Sequence, residues 1–334
     1  MRSITIFNNK GGVGKTTFLC NIAAFLALRR QKRVLIVDAD PQCNATIYLL
    51  PEDRLLNLYD SNARGTIDSY LDPLRRGKGY VDTRLPLTTV TRFGVDLVPG
   101  DPRLALSEDL LASDWSDATA GKPRGLQTTF VFKDLLERYS EYDYIFIDVG
   151  PSLGALNRSV LIASDFFVMP MSSDIFSLMA IRNIANSLTR WKKDLAKGLD
   201  EYADAENEPY TIHNSPVEWT LQFAGYVTQQ YTAKTVQGTR RPVRAYERVI
   251  RRAPKLIQQE LVARFGIDDS DIDYKLGEIP NLHSIVPMSQ TVNAPVFDLK
   301  AKDGVVGAHF AKVAEASEMY DAIARKLTDL TQRA

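Results

Sequence analysis

From Asn9 to Thr17 the chain reads Asn-Lys-Gly-Gly-Val-Gly-Lys-Thr-Thr, a spacing of glycine, lysine and hydroxyl suited to gripping a polyphosphate. Gly11, Gly12 and Gly14 let the backbone turn successive N–H groups, that of Val13 included, toward an anion. Lys15 supplies charge for β and γ phosphates, and the Thr16 hydroxyl a ligand for magnesium. Thr17 adds a hydroxyl near the α phosphate. Carboxylates come from two further places. Asp38 and Asp40 lie in Val37-Asp-Ala-Asp-Pro-Gln-Cys-Asn44, and Asp148 ends the apolar run Tyr144-Ile-Phe-Ile-Asp148, where it can hold the metal directly or through water.

A third cluster is cationic. Arg240, Arg241, Arg244, Arg248, Arg251, Arg252 and Lys255 fall close together against one acid, Glu247. At helical spacing Arg244, Arg248, Arg251, Arg252 and Lys255 share a face, with Tyr246, Val249, Ile250, Ala253, Leu256 and Ile257 opposite. Such a stripe neutralises DNA phosphates without reading sequence. The plainer alternatives are a solvated face or a salt-bridge partner for an acidic segment. Pro254 predicts a kink or a fresh helix start within it.

The elements that must position these groups alternate along the chain. Apolar runs predict strands at Ser3–Phe7, Arg33–Val37, Val95–Val98, Tyr144–Ile147, Phe166–Met169, Phe223–Val227 and Lys275–Ile279. Most are continuous rather than alternating, as in strands covered on both faces. Helical spacing appears over Lys15–Arg30, Thr128–Arg138, Ile175–Trp191, roughly Ala245–Phe265, and Ala308–Leu330. The pattern predicts an α/β fold: a doubly wound, mostly parallel sheet with helices on both faces. No linker interrupts it, so a single domain over residues 1–334 is expected. Two stretches break the rhythm and read as surface insertions. Residues 113–125 are polar with two glycines and a proline, the pattern of a loop, and residues 197–216 are acidic and then turn-rich.

Composition narrows the function classes. The 334 residues are 45% hydrophobic and 25% charged, so a sizeable core is affordable and disorder is a poor reading. Lys plus Arg equals Asp plus Glu at 41 each, which argues against a uniformly basic nucleic-acid surface but leaves room for a local patch. Cys20 and Cys43 make no disulfide framework, and His213, His283 and His309 lack zinc spacing. No apolar stretch is long enough to span a membrane and none at the start reads as a signal peptide, so a cytoplasmic protein without membrane attachment is expected.

The loop departs from the common phosphate-binding pattern in one specific way: Asn9 takes the first glycine position and Lys10 precedes the Gly-Gly pair. The run Lys10-Gly-Gly-Val-Gly-Lys-Thr-Thr17 is the deviant Walker A signature, and here the sequence resembles the ParA/MinD family of dimerising P-loop ATPases. The resemblance implies ATP and Mg2+ as cofactors, slow hydrolysis stimulated by a ParB-like partner, and an ATP-bound homodimer in which Lys10 reaches the partner's phosphates. It implies that Asp40 orients or activates the attacking water in a first switch of the form D-x-D-P-Q-G-N, with Asp38 supporting the magnesium shell. Cys43 replaces the glycine of that switch, and Gly150 replaces the first proline of the second switch, Asp148-Val-Gly-Pro151. Gln229, Pro280 and Asn281 correspond to residues on the adenine side. The resemblance spans nearly the whole chain, with its specific motifs in the first 153 residues. It is closest to the partition ATPases, whose dimers bind DNA nonspecifically, so a nucleoid-associated location is a further expectation.

Other readings lose on residues. An iron-protein-like reductase needs cluster cysteines, and Cys20 and Cys43 are placed in a helix and a switch. A bacterial tyrosine kinase would end in tyrosines, absent from Leu327-Thr-Asp-Leu-Thr-Gln-Arg-Ala334, and a MinD-type membrane locator would end in a basic amphipathic helix where this chain mixes signs. The surviving alternative is a regulatory or scaffolding ATPase subunit of a toxin–antitoxin or phage-defence system.

Overall fold

The computed structural model describes residues 1–60, 65–172, 174–229, 235–236, 239–240, 244–267, 269, 272–282 and 284–333; for 235–236, 239–240, 244–248 and 250 it describes the backbone alone. The strands of the main sheet are β1 (Arg2–Ile6), β2 (Val34–Asp38), β3 (Thr88–Val90), β4 (Val95–Val98), β5 (Tyr144–Asp148), β6 (Phe166–Met171), β7 (Gln222–Gln229) and β8 (Lys275–Ile279). Their order is β8-β7-β6-β1-β5-β2-β4-β3, parallel throughout except for the antiparallel edge pair β3–β4. Every residue of β2, β5 and β6 is buried, which is why these strands read as unbroken apolar runs. Seven strands fall where the apolar runs predict them, within a residue or two at each end. The eighth, β3, is only three residues long and follows a polar stretch.

The helices are α1 (Lys15–Arg30), α2 (Asn44–Leu49), α3 (Glu52–Asp60), α4 (Asp68–Arg75), α5 (Glu108–Ala118), α6 (Pro123–Thr129), α7 (Val131–Glu137), α8 (Ala155–Ala163), α9 (Ile175–Glu206), α10 (Arg244–Ile257), α11 (Ile285–Thr291) and α12 (His309–Arg333). One group, α1 with α12, packs through Phe18 and Phe297 against Tyr320. A second group joins α5, α7 and α8. A satellite core of Ala118, Leu126, Phe130, Ile162, Leu195 and Ile212 ties α5, α6, α8 and α9 together.

Three expectations are corrected. Residues 113–125 are not a loop: α5 continues to Ala118, and α6 starts at Pro123. Proline at a first helical position costs no hydrogen bond, and Gly121 at φ +73° makes the turn between the helices. Gly125 serves close packing, since a Cβ there would lie 2.1 Å from the Ala118 nitrogen. Most of the acidic half of residues 197–216 is helix, because α9 runs to Glu206 with Leu195 and Gly198 buried beneath its charges; a short pairing of Thr211–Ile212 with Ser215–Pro216 follows. Pro254 starts no new helix: α10 runs through it to Ile257 and continues as a π-helical turn, Gln258–Val262.

Candidate functional site

Register brings the chemistry together. Ile6 pairs with Asp148 on β5, and Asp38 pairs with Asp148 from the other side, so the glycine loop and both acidic strand ends emerge level with one another. This is the C-terminal edge of the sheet, where α/β folds place ligands. The loop after β1 is fastened by Asn8, whose amide donates to the Pro170 carbonyl at 2.7 Å and accepts from the Lys10 N–H at 3.0 Å. Gly12 and Gly14 take positive φ, and α1 begins at Lys15 with no side chain capping it. Bare amides at a helix start form an anion site. Beside them opens a cavity of about 600 Å3, lined by Gly11, Gly12, Gly14, Lys15, Thr16 and Thr17 on one side and Asp40 on the other. Its size suits a small ligand.

Lys15 is 8% exposed, and burial holds its ammonium below the ordinary pKa against the pull of Asp148 and Asp40. Thr16 Oγ1 donates to Asp148 Oδ2 at 2.7 Å, while Asp148 Oδ1 is buried without a partner. Burial first, then Asp38, pushes the Asp148 carboxyl well above the ordinary range. An orphaned carboxylate oxygen beside a hydroxyl is a donor set that fits a hard divalent cation such as Mg2+, with phosphate oxygens and water completing the shell. Among the described residues no cluster of three His, Cys, Asp or Glu could hold a metal alone.

Asp38 is turned toward the next helix. Its Oδ2 accepts from Thr46 N at 2.8 Å and Thr46 Oγ1 at 2.6 Å, and its carboxyl titrates at about 6, raised chiefly by burial. Gly100 leaves room for it, since a Cβ there would lie 2.9 Å from the Asp38 carboxyl. Asp40 is 5% exposed and accepts from Gln42 N at 3.0 Å. Cys43 keeps the glycine-like backbone of the motif, at φ +55° and ψ +31°, although a side chain makes that conformation costly. Burial pushes its thiol up to about 12, so it is an inert filler beside the switch. The glycine at 150 also has a reason, because a Cβ there would sit 3.3 Å from Asp40 Oδ1.

Lys10 stands apart from the cavity. Its ammonium pairs with Asp174 and donates to Ser172 Oγ at 2.8 Å. Asp174 also caps α9 by accepting from Phe176 N and Ser177 N. Burial opposes the Asp174 charge, but Lys10 and Ser172 together hold its carboxyl below the usual range. Gln229 covers the loop from β7: its amide donates to the Val13 carbonyl at 2.9 Å, and a Cβ on Gly14 would strike it at 2.3 Å. Pro280 and Asn281 follow β8 on the far side of β7 and do not line this cavity. Tyr48, Ile47 and Gln290 do line it and were not singled out from sequence, as an aromatic, an aliphatic and an amide in short helices carry no local signal.

The basic helix is placed in part. Arg244 and Arg248 have side chains outside the described residues. Arg251, Arg252 and Lys255 are exposed and form no ion pair with any residue the structure describes. With Arg182 they rim a groove of about 540 Å3 between α9 and α10, floored by Leu178, Met179 and Leu256. Val249, Ala253 and Ile257 are buried on the opposite side, as the helical spacing predicts. No described helix is long and apolar enough to cross a membrane.

The chain is similar to known proteins in sequence and in fold. Residues 1–200 match a family described as an AAA domain. The chromosome partitioning protein ParA of Myxococcus xanthus is 33% identical over 200 residues, which cover 59% of this chain and 62% of that protein. Soj of Bacillus subtilis, a sporulation initiation inhibitor, is 33% identical over 196 residues, covering 59% and 68%. The chain thus spans less than two thirds of the Myxococcus protein's length. Among solved structures, a protein from Corynebacterium diphtheriae is 32% identical with a TM-score of 0.71, covering 88% of this chain and 97% of that one. An ATP complex of McdA from Cyanothece shares the fold at a TM-score of 0.64 and 16% identity, over 98% and 96%. A chain that carries this glycine loop at the end of a central parallel strand, matches the family over its first 200 residues and aligns with ParA and Soj over 200 and 196 residues belongs to the ParA/Soj family of P-loop ATPases.

Proposed function

We propose that the protein is an ATP-dependent dimerising switch that hydrolyses ATP slowly with Mg2+ and acts in DNA partition or positioning with a stimulating partner protein. In the reaction, the oxygen of a water positioned by Asp40 bonds to the γ phosphorus. The β–γ bridging oxygen leaves with ADP, and the water's proton passes to the released phosphate. Lys15 and the loop amides hold the polyphosphate, Thr16 and Asp148 serve the metal, and Asp38 orders the first switch through Thr46. Gln229, packed on the glycine loop, is assigned to the adenine side, with Pro280 and Asn281 reaching the base only where it extends beyond the cavity, in the cytoplasmic protein this reading describes.

The observation that carries the reading is the division between the two lysines of one loop. Lys15 faces the protein's own cavity, while Lys10 is held outside it on Asp174. A second lysine turned away from its own phosphates is available to a partner's. Sizing Asp40→Ala protein by light scattering tests this: a dimer with ATP and a monomer with ADP are expected, and the same state under both removes the switch.

The groove beside α10 favours a second reading for the basic residues. Its apolar floor, with Ile175 and Met179 exposed at 58% and 57%, suits a protein better than a phosphate backbone, as a regulatory or scaffolding subunit of a toxin–antitoxin or phage-defence system would require. A DNA titration separates the two. Nonspecific DNA binding that weakens with salt by about −0.9 per neutralised phosphate on a log–log plot, and less steeply in Arg251→Glu/Arg252→Glu, supports partition. An ATP-loaded dimer that ignores DNA at low salt supports the regulatory subunit.

A further inference from the structure

The helix that follows the second switch has no cap of its own. Gly154 precedes α8 and offers no side chain, so the first amides of the helix need an acceptor from elsewhere. Glu108, at the start of α5, supplies it. Its Oε1 accepts from Ala155 N at 2.6 Å and its Oε2 from Leu156 N at 2.9 Å. Any side chain at 154 would collide with that carboxylate, since a Cβ there would lie 2.4 Å from Oε1. A carboxylate at this position also meets the positive end of the helix dipole.

The fastening continues into the switch. Asn157, in the first turn of α8, donates from Nδ2 to the Gly150 carbonyl at 2.7 Å and the Ser152 carbonyl at 2.9 Å. The loop comes close to Asp40 at Gly150, where an added Cβ would lie 3.3 Å from Oδ1 of that carboxylate. A second bolt holds the same two helices: the Arg158 guanidinium lies 4.2 Å from the Trp115 ring centroid and donates to the Leu111 carbonyl at 2.8 Å. The path from Glu108 to Asp40 therefore runs from α5 to the first turn of α8, and from there to the loop at Gly150 that approaches the Asp40 carboxylate.

We propose that Glu108 is a positioning residue for hydrolysis: by docking α8 onto α5 it fixes the second switch against Asp40. A simple helix cap could be supplied by a serine or aspartate at 154, within the loop itself. Here the acceptor comes from another helix, so the loop's far end is anchored to α5 rather than to its own backbone. The inference rests on the ATPase reading above, and its test keeps the two apart.

The experiment is steady-state ATPase with Mg2+ on wild type, Glu108→Gln, Glu108→Asp, Asp40→Ala and the Asp40→Ala/Glu108→Gln double variant, with ATP affinity measured by calorimetry on each. Glu108→Gln is expected to lower kcat on the order of tenfold, about 1.4 kcal/mol in barrier, while ATP affinity changes less than about twofold. Glu108→Asp keeps the charge and falls between, which guards against a folding defect in the amide variant. The double variant should hydrolyse no more slowly than Asp40→Ala alone, because the effect travels through Asp40. An unchanged kcat in Glu108→Gln, or the same fold-loss with and without Asp40, overturns the positioning role. A wild type that binds ATP but never hydrolyses it overturns the ATPase reading and this inference with it.

Discussion

Replacing Asp38 with Asn should make the nucleotide-free protein more stable at neutral pH. Asp38 is fully buried, and its carboxyl titrates at about 6 instead of 3.8 because burial penalises the charge. Below pH 3.8 the folded and unfolded chains both hold the proton, and the penalty is absent. Between 3.8 and about 6 the unfolded chain has released a proton that the folded chain keeps, so stability falls as pH rises. Above that range the cost is complete: roughly two pH units at about 1.4 kcal/mol each, on the order of 3 kcal/mol. An asparagine never ionises, and its oxygen can still accept from Thr46 N and Oγ1, which both use one carboxylate oxygen now. It forfeits the 3.3 Å bond from Asp40 N, about 1 kcal/mol, while the charge assistance toward Thr46 is already contained in the titration at about 6. The net gain at pH 7.5 is about 2 kcal/mol, or a Tm higher by roughly 3 °C in a chain of this size. Relief of Asp148, which Asp38 also pushes up, acts in the same direction. Scanning fluorimetry from pH 4.5 to 8 without nucleotide should show the variant's advantage at high pH and none at low pH. A variant less stable than wild type at pH 7.5, or a gap that ignores pH, refutes the reasoning.

Two further substitutions test contacts elsewhere. Gly125→Ala puts a Cβ within 2.1 Å of the Ala118 nitrogen and 2.5 Å of the Asp117 carbonyl carbon, and backbone cannot step aside. It should cost about 2–3 kcal/mol net despite alanine's better helix propensity, and a denaturation midpoint equal to wild type contradicts the close approach of α5 and α6. Asp174→Asn keeps a good cap for α9 but discharges the Lys10 pair. With that half-exposed ion pair gone, ATP-driven dimers should form at a protein concentration about two- to fivefold lower, read from a light-scattering dilution series; an unshifted midpoint removes the pair's restraint on assembly.

What sequence made legible was local or periodic. The strand–loop–helix opening, the apolar runs and their terminal aspartates lie where they were expected, because a buried parallel strand must be apolar along its length and its end must face the crevice. Punctuation misled. Gly121, Pro123 and Gly125 look like a loop, yet the first turns the chain, the second starts α6 and the third lets two backbones touch. The acidic end of α9 carries the helix past Trp191, where the apolar pattern thins, because Leu195, Gly198, Leu199 and Tyr202 keep helical spacing beneath the charges. Within the site, the charged partners that act over long separations were invisible: Asp174 for Lys10 and Glu108 for α8. No pattern in a single sequence pairs residues across so many positions.

The register of the three central strands sets what this protein can tolerate during its evolution. Ile6, Asp38 and Asp148 sit side by side across β1, β5 and β2, with neighbouring strands about 4.8 Å apart. Loops leaving those ends can lengthen or change composition, as the cysteine at 43 and the glycine at 150 illustrate, because their starting points are fixed in the sheet. A single residue inserted within β2 or β5 is a different matter. It would turn an aspartate to the opposite face and carry its loop about 3.3 Å along the strand, separating a carboxylate from both the glycine loop and its neighbour in one step. Insertions in this molecule are therefore tolerated beyond the glycine loop and the residues around Asp40, and forbidden within the strands just upstream of them.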